Sequence, residues 1–235
     1  MLGKGLGPTG KMIEKLVAAR LAADIMKVPL IIIARTDSLA GALIRSDHDE
    51  VDQKFITGER TAEGFFRTKA GMDQAVARGL SYAPYSDLIW CETAKPNLEE
   101  AKSFATAIHN KFPGKMLAYN CSPSFNWKKH LSDSEIAEFQ IKISEMGYKF
   151  QFITLAGFHI QNLAVFELAE QYKSKGMTAY SKIQQQEFAR EKDGYTSAKH
   201  QREVGTSYFD AVSNTISSGE SSTTAMEGST ESEQF

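Results

Sequence analysis

The sequence contains little cysteine. Of its 235 residues only two, Cys91 and Cys121, are cysteines, and neither has a partner at CxxC or another metal-ligand spacing. This excludes a zinc-ribbon type of site and a framework of several disulfides. Both cysteines lie at the ends of predicted buried strands, so we expect reduced thiols in a reducing compartment, the cytoplasm by default, with a single disulfide as the alternative.

The sequence also lacks a dominant charge and a long apolar run. Its formal net charge is -2, and no block of lysine or arginine suggests a nucleic-acid or membrane surface. No run reaches the roughly 18 apolar residues that span a bilayer, and the stretch MLGKGLGPTGK lacks the apolar segment of a secretory leader. With 42% hydrophobic residues, we expect one soluble globular domain, or a large piece of one, with small-molecule partners.

One pattern, an amphipathic helix followed by a short apolar strand, recurs along the chain. Runs that are apolar on both faces are typical of parallel strands covered by helices. The sequence therefore predicts an α/β fold, either a doubly wound sheet or a barrel. The four units are KMIEKLVAARLAADIM before VPLIIIARTD, TKAGMDQAVARGLSYA before SDLIWCET, NLEEAKSFATAIHNKF before KMLAYNCS, and SDSEIAEFQIKISEMGY before KFQFITLAG.

A polar segment, 46–68, interrupts this rhythm after the first strand. It is too long for an ordinary connection, and we interpret it as an excursion at the carboxyl end of the strand, where active-site loops gather in this class. Its acidic stretch Asp47–Asp52 could suggest a metal site. Because consecutive residues of a polar loop rarely converge on one ion, a solvated loop is the favoured interpretation.

After the fourth strand the alternation stops. The stretches HIQNLAVFELAEQYKSKGM and AYSKIQQQEFAREKDGYT predict two helices, and KHQREVGTSYFDAVSNTI has another helical pattern. The last stretch, SSGESSTTAMEGSTESEQF, is rich in Ser, Thr and Glu. We expect this stretch to be disordered alone, or ordered only against a partner.

Polar side chains follow each of the four predicted strands at the point where the strand ends. In barrels and open α/β sheets alike, ligands bind at that edge. Four polar strand ends occurring together therefore predict a ligand site. They are Arg35 with Asp37, Glu92, Asn120 with Ser122 and Ser124, and Thr154.

The residue types indicate recognition of carboxylates. Arg35 can bind one carboxylate through two hydrogen bonds, and Asn120, Ser122 and Ser124 supply neutral donors on a short turn. Glu92 is a candidate for acid-base work or for orienting Arg35.

Each of these residues also has a purely structural alternative. Arg35 and Asp37 could form only a structural ion pair, and Glu92 could cap a helix or pair with Lys95. The polar turn after the third strand could simply satisfy its own backbone. His159 could support the site, although helix capping or packing is favoured for it.

Six motifs together resemble the isocitrate lyase family, of its shorter bacterial type. The resemblance covers essentially the whole chain, and NCSPSFNWKKH is specific to this enzyme within its superfamily. It implies a TIM barrel, dependence on Mg²⁺, and reversible cleavage of isocitrate into succinate and glyoxylate in the glyoxylate bypass. The motifs are ARTD, ITGERT.EGF, LIW.ET, MLAYNCSPSFNWKKH, FQFITLAGFH and the tail from GYTSAKHQREVG to STESEQF.

The resemblance also implies roles for individual residues. Arg35 matches the substrate-binding arginine, Glu92 matches the active-site glutamate of the sixth strand in a supporting catalytic role, and Thr154 matches the threonine that closes the pocket. The carboxylate-binding turn matches five consecutive residues: Asn120, Cys121, Ser122, Pro123 and Ser124.

Part of the family pattern is absent. The four strands would be the fifth to eighth of the barrel, and the resemblance implies that the metal ligands and the catalytic Lys-Lys-Cys-Gly-His loop precede them. Neither cysteine of this sequence stands in that context. We therefore expect no metal ligand in this chain and little activity from it alone, with unpaired edges on its first and fourth strands. Gly5, Gly7 and Gly10 also predict a poorly ordered start.

These considerations predict three segments. Residues 1–159 would form half of the catalytic barrel, 160–216 a helical region exchanged between the subunits of a homotetramer, and 217–235 a polar extended tail. Two functional alternatives stay open: a lyase acting on 2-methylisocitrate, and a non-catalytic assembly partner of intact subunits.

Overall fold

The computed structural model describes residues 5–226 and 228–229, and the chain divides into two compact units between Ala156 and Gly157. The strands are β1 (Gly5–Leu6), β2 (Ile33–Thr36), β3 (Leu43–Ile44), β4 (Ile56–Arg60), β5 (Phe66–Thr68), β6 (Leu88–Cys91), β7 (Met116–Asn120) and β8 (Tyr148–Phe152). The helices up to the division are α1 (Thr9–Met26), α2 (Glu50–Gln53), α3 (Met72–Tyr82), α4 (Leu98–Lys111), α5 (Trp127–His130) and α6 (Asp133–Glu145). Four more follow: α7 (Ala156–Lys175), α8 (Met177–Arg190), α9 (His200–Glu203) and α10 (Thr206–Ile216).

The main sheet consists of the four predicted strands, all parallel, in the order β2-β6-β7-β8. A doubly wound sheet reverses its strand order at a switch point, whereas here the order in space follows the order in the chain. This is the arrangement of half of an eight-stranded barrel. The prediction of an α/β fold is confirmed, and topology decides between its two forms in favour of the barrel type. Among the described strands, β2 and β8 each pair on one side only.

The first strand of this sheet begins later than its sequence predicts. The apolar run starts at Leu30, but Leu30 and Ile31 are exposed and β2 begins at Ile33. The neighbouring strand sets this limit, because Ile33 pairs with Leu88, the first residue of β6. Asp87 directly precedes β6, and its carboxylate accepts a hydrogen bond from the backbone N–H of Ile32 at 2.7 Å.

One face of the main sheet forms an apolar core with the helices that connect its strands. Tyr119 of β7 packs against Phe139 and Tyr148, with ring centroids 5.5 and 5.6 Å apart. The Tyr148 hydroxyl donates to the backbone carbonyl of Ala101 in α4 at 2.9 Å. Other fully buried members of this core are Ala34, Ala75, Ile89, Ile108, Leu117 and Ile143.

Local capping signals explain where two of these helices begin. Asn97 accepts the N–H groups of Glu99 and Glu100 at the start of α4. Ser132 and Glu135 form a reciprocal capping box at the start of α6. Both arrangements satisfy N–H groups that have no partner inside the helix.

Helix α1 buries less of its apolar stripe than its periodicity predicts. Leu16 and Ala23 are buried, but Val17, Leu21 and Ile25 are exposed, the last by 71%. The core of the sheet therefore uses only part of the apolar surface of α1.

The prediction of a solvated loop is wrong for part of the acidic stretch Asp47–Asp52: Asp47, His48 and Glu50 are exposed, but Asp52 is buried. Strands β3, β4 and β5 form a second sheet with β1, in the order β1-β3-β5-β4. Asp52 in α2 is completely buried and lies 3.2 Å from Arg78 of α3. The expectation of a poorly ordered start is also wrong from Gly5 onward, because β1 pairs with β3, while residues 1–4 lie outside the described part.

The second unit is helical, as predicted. Gly205, with φ +78°, separates α9 from α10 within the third helical pattern. The Asp210 carboxylate accepts the N–H groups of Ala225 and Met226 at 2.8 and 2.9 Å, whereas residues 227 and 230–235 of the predicted tail lie outside the described residues. Within the described ranges, no helix is both long enough and apolar enough to cross a membrane.

Candidate active site

Side chains from the four parallel strands share the sheet face opposite the core. Arg35 pairs in register with Trp90, Trp90 with Ala118, and Ala118 with Phe150. Because side chains alternate along a strand, Glu92 and Asn120 continue the same face toward the carboxyl ends. The rings of Trp90 and Phe152 pack edge to face, with centroids 5.0 Å apart, which places β6 and β8 residues on this common face.

Arg35, Asp37 and Glu92 come together at the end of β2. The guanidinium of Arg35 donates twice to the Asp37 carboxylate, from Nε and Nη2, each at 2.9 Å. Its Nη2 also lies 3.8 Å from Glu92 Oε2, and its Cζ lies 4.4 Å from the centroid of the Trp90 ring. Hydrogen bonding to Asp37 raises the pKa of Arg35 above its ordinary value despite partial burial. The predicted ion pair is present, yet the Arg35 side chain stays 42% exposed.

Glu92 and Trp90 carry unsatisfied polar atoms on this face. Among the described residues, Glu92 Oε2 and Trp90 Nε1 are buried without a hydrogen-bond partner. Glu92 does not cap the next helix, because Asn97 does so. Since buried polar atoms are normally satisfied, this acceptor and this donor mark the surroundings of Arg35 as a candidate site.

The turn after β7 is held in shape by its own side chains and by β8. Asn120 Oδ1 accepts hydrogen bonds from the backbone N–H and the hydroxyl of Thr154, at 3.4 and 3.3 Å. The Ser122 hydroxyl accepts the N–H of Ser124 at 3.1 Å, and the Ser122 carbonyl accepts the indole N–H of Trp127 at the same distance. The structure therefore brings Asn120 and Thr154 together, as it does Arg35, Asp37 and Glu92.

Cys121 and Phe125 face the core rather than the site. The Cys121 thiol is buried among core side chains, and this burial raises its pKa. Together with Pro123 and Trp127, it lines an apolar cavity of about 380 Å³ beside α6. Phe125 is buried, and Trp127 packs against Phe139 at 5.2 Å, so the two aromatics serve packing. The assignment of Cys121 and Pro123 to a carboxylate-binding turn stays a prediction.

A cavity of about 480 Å³ opens beside Arg35 at the edge of β2. The sequence does not predict most of its walls, because they come from α1, α3 and the segment before α1, and none of these carries a local signal for a cavity. Burial raises the pKa of one lining residue, Tyr82. The polar and backbone groups around the cavity belong to Gly5, Gly7, Pro8, Lys11, Lys15, Thr36, Asp37, Arg78 and Tyr82.

The side chains of this chain do not assemble a metal site in the part that the structure describes. Within residues 5–226 and 228–229, no three His, Cys, Asp or Glu side chains lie close enough to hold an ion. Asp49 and Asp52 belong to the polar segment 46–68, which we call the insertion. Their carboxylates bind backbone N–H groups at the start of α1 instead.

Comparison with known proteins gives one consistent result. The profile of the isocitrate lyase family matches residues 1–60 and 59–235. An isocitrate lyase of Halalkalibacterium halodurans is 65% identical over 99% of this chain and 55% of its own length, and one of Escherichia coli is 61% identical over 100% and 55%. Isocitrate lyase 1 of Mycobacterium tuberculosis is 57% identical over 99% and 54%. The chain thus spans about half the length of the curated relatives it matches.

A solved structure is also similar in part. The crystal structure of 2,3-dimethylmalate lyase, a PEP mutase/isocitrate lyase superfamily member, matches 73% of this chain and 50% of its own chain, with a TM-score of 0.46 and 18% identity.

Proposed function

Since this chain belongs to the isocitrate lyase family, we propose that it supplies the carboxylate-binding half of an isocitrate lyase active site. The reaction is the reversible cleavage of isocitrate into succinate and glyoxylate, as in the glyoxylate bypass. The observation that supports it best is the shared sheet face on which Arg35, Glu92 and Asn120 lie at the carboxyl ends of adjacent parallel strands. A cytoplasmic homotetramer is part of the same proposal.

Arg35 is the group we assign to a substrate carboxylate. Asp37 uses two of its donor hydrogens, which leaves three of the five that a guanidinium carries. Asp37 also limits the rotation of the guanidinium, so its remaining donors are presented in a fixed direction. A carboxylate bound there would replace water with charge-assisted hydrogen bonds.

The remaining side chains fit the charge that moves during the reaction. Cleavage removes the hydroxyl proton of isocitrate and breaks its carbon-carbon bond, and the bonding electrons pass to a carbon next to a carboxylate. Asn120, Ser122 and Ser124 can donate hydrogen bonds to that carboxylate as charge develops. Thr154, whose hydroxyl donates to Asn120 Oδ1, holds the Asn120 amide in place. Glu92 orients Arg35 and can accept a hydrogen bond from the substrate. The proton that completes succinate is assigned to no residue of this chain.

Magnesium dependence belongs to the proposal only through the family. Because the described residues do not assemble a metal site, we place the ion with the part of the relatives that this chain does not span. We derive no step of the reaction through it.

The alternative of an assembly partner is favoured by exposed apolar side chains. Ile31 before β2 and Ile153 after β8 lie at the two edges of the main sheet and are more than half exposed. Exposed apolar side chains at the edges of a sheet are typical of surfaces that bind another protein chain. A chain that binds intact subunits without catalysis would use the same surfaces.

The test is a coupled assay of glyoxylate release from isocitrate with Mg²⁺, combined with light scattering. We expect no turnover by the purified chain and turnover after addition of the amino-terminal half of the Halalkalibacterium halodurans relative. A parallel assay with 2-methylisocitrate distinguishes the two substrates. Turnover by the chain alone, or soluble complexes with the added half that never turn over either substrate, would contradict the proposal, and the second result would favour the assembly partner.

Variants of Arg35 sharpen this test. Arg35→Lys keeps the charge but loses the planar pair of donors, so we expect kcat/KM of the reconstituted sample to fall about 100-fold. Arg190→Lys is the matched control, because Arg190 also pairs with an aspartate, Asp193 at 3.0 Å, but on the surface of the second unit. Equal kcat/KM for the two variants would show that Arg35 does not bind the substrate.

A further inference from the structure

A buried polar cluster joins the insertion after β2 to α1 and α3. Asp52 is fully buried, and only 4% of the Arg78 side chain is exposed. Thr9 lies between them: its hydroxyl donates to Asp52 Oδ1 at 2.8 Å and accepts from Arg78 Nε at 2.9 Å. Both charges are therefore paired and hydrogen-bonded, the condition under which buried charges are tolerated.

The same cluster caps the start of α1. The backbone N–H of Thr9 donates to Asp52 Oδ2 at 2.7 Å, and that of Gly10 donates to Asp49 Oδ2 at 2.5 Å. A helix normally takes such a cap from the residue just before it, but here that residue is Pro8, which makes no side-chain cap. The insertion supplies the missing carboxylates from 43 and 39 residues further along the chain.

The segment Gly5–Pro8, just before α1, is held in place by the same elements. Arg78 donates to the carbonyl of Gly7, and the Leu6 carbonyl accepts the N–H of Arg45 at 3.2 Å. Leu6 lies so close to Gly41 that a Cβ on Gly41 would come within 2.7 Å of it. Gly5–Pro8 also lines the cavity beside Arg35.

We propose that the insertion is a positioning element: Asp49 and Asp52, together with Arg78, hold Gly5–Pro8 in place as one wall of the Arg35 cavity. The importance of that cavity rests on the proposed function, but the position of the wall does not. The insertion thus has a role besides covering a strand end, since its carboxylates bind the N–H groups of Thr9 and Gly10, directly after Gly5–Pro8, while the second sheet pairs with Gly5 and Leu6.

The experiment is residue-resolved hydrogen exchange, followed by NMR on the full chain. Asp52→Asn keeps the shape of the side chain and removes its charge. We expect exchange at Thr9 and Gly10 to accelerate by about tenfold or more, while the core amides of Ile89 and Leu117 change little. Asp133→Asn is the matched control, because Asp133 pairs with Lys128 at 2.9 Å on the surface.

A second pair of variants tests the proposal even if Asp52→Asn fails to fold. Thr9→Val removes the hydroxyl that joins Asp52 to Arg78, and Thr9→Ser retains it. We expect faster exchange of the Gly10 amide in the first variant and near-parental exchange in the second.

Two results would overturn the inference. One is unchanged exchange at residues 9 and 10 in Asp52→Asn and Thr9→Val. The other is a parallel rise at Ile89 and Leu117, which would show a general stabilising role without specific positioning. Neither outcome depends on substrate or turnover, so a failure of the proposed reaction is distinguishable from a failure of this inference.

Discussion

The two faces of the main sheet differ in how completely they are packed. On the helix-covered face, Ala34, Ile89 and Leu117 are completely buried under the connecting helices. On the opposite face, Phe150 is 48% exposed, and among the described residues Trp90 Nε1 has no hydrogen-bond partner. The first face is a closely packed core, whereas the second is partly exposed and carries polar groups.

The contrast shows how one short strand serves two purposes. In β6 and the residue after it, Ile89 and Cys91 face the core, while Trp90 and Glu92 face the site. Period-two alternation alone produces this division. Substitutions at neighbouring positions should therefore affect either stability or ligand binding, and seldom both.

The largest expected difference between the faces is in stability. Phe104→Ala empties a buried position of α4 and should lower the free energy of unfolding by about 3–5 kcal/mol. Phe150→Ala on the open face should cost less than about 1 kcal/mol, because nearly half of that residue is already in water. Urea unfolding of both variants is the measurement. Equal losses would mean that the open face is packed as tightly as the core.

A smaller loss is expected when a single buried hydrogen bond is removed from the core face. Tyr148→Phe removes the hydroxyl that donates a hydrogen bond to the Ala101 carbonyl at 2.9 Å. We expect a loss of about 1–2 kcal/mol in urea unfolding. Tyr195→Phe is the control, since its hydroxyl donates to Glu187 on the surface, and its loss should be much smaller than that of Tyr148→Phe. A Tyr148→Phe loss no larger than the control's would show that this bond contributes little.

A pH-dependent contribution is expected at the amino end of the sheet. The backbone N–H of Ile32 lowers the pKa of Asp87 below its ordinary value of 3.8, with help from Arg20. A lowered carboxyl pKa gives stability that is present above the ordinary value and is lost as pH falls through the lowered one. Asp87→Asn should therefore cost up to about 1 kcal/mol at neutral pH, discounted for partial exposure.

The test compares urea unfolding of Asp87→Asn and the parent chain between pH 7 and pH 3. The difference should shrink as the pH falls below 3.8. A difference that stays constant over this range would assign the cost to shape and not to charge.

The last expected effect concerns the reactivity of a thiol on the core face. Burial raises the pKa of the Cys121 thiol, so less of the nucleophilic thiolate is present at a given pH. Alkylation of Cys121 in the folded chain at pH 8 should be at least about tenfold slower than in the urea-unfolded chain. Mass spectrometry of the labelled peptide measures the alkylation rate. Fast labelling would show that the packing of α6 over Cys121 opens readily.

The main sheet and the polar side chains at its carboxyl edge could be predicted from the sequence because their signals are local. Helical periodicity, short β-branched runs and turn residues lie within windows of about a dozen residues. The polar strand ends Arg35, Glu92, Asn120 and Thr154 could then be placed at one edge by the rule for parallel strands. Their contacts, such as Asn120 with Thr154, agree with that placement.

The insertion could not be predicted in the same way. Asp52 stands in an acidic stretch that is typical of solvated loops, and its burial depends on Arg78 and Thr9, which are distant in sequence. The exposed stripe of α1 has a similar origin, because periodicity marks which side of a helix is apolar but not how much of that side finds a partner.

The amino-acid sequence determined the order of the four helix-strand units, the parallel sheet and the side chains at its carboxyl edge, since each depends on neighbouring residues. Tertiary structure alone decided that Asp52 is buried, that Gly5–Pro8 forms a wall beside Arg35, and that one face of the sheet is covered and the other open. Those outcomes depend on charges and surfaces from distant segments meeting in space, and no local pattern records which segments will meet.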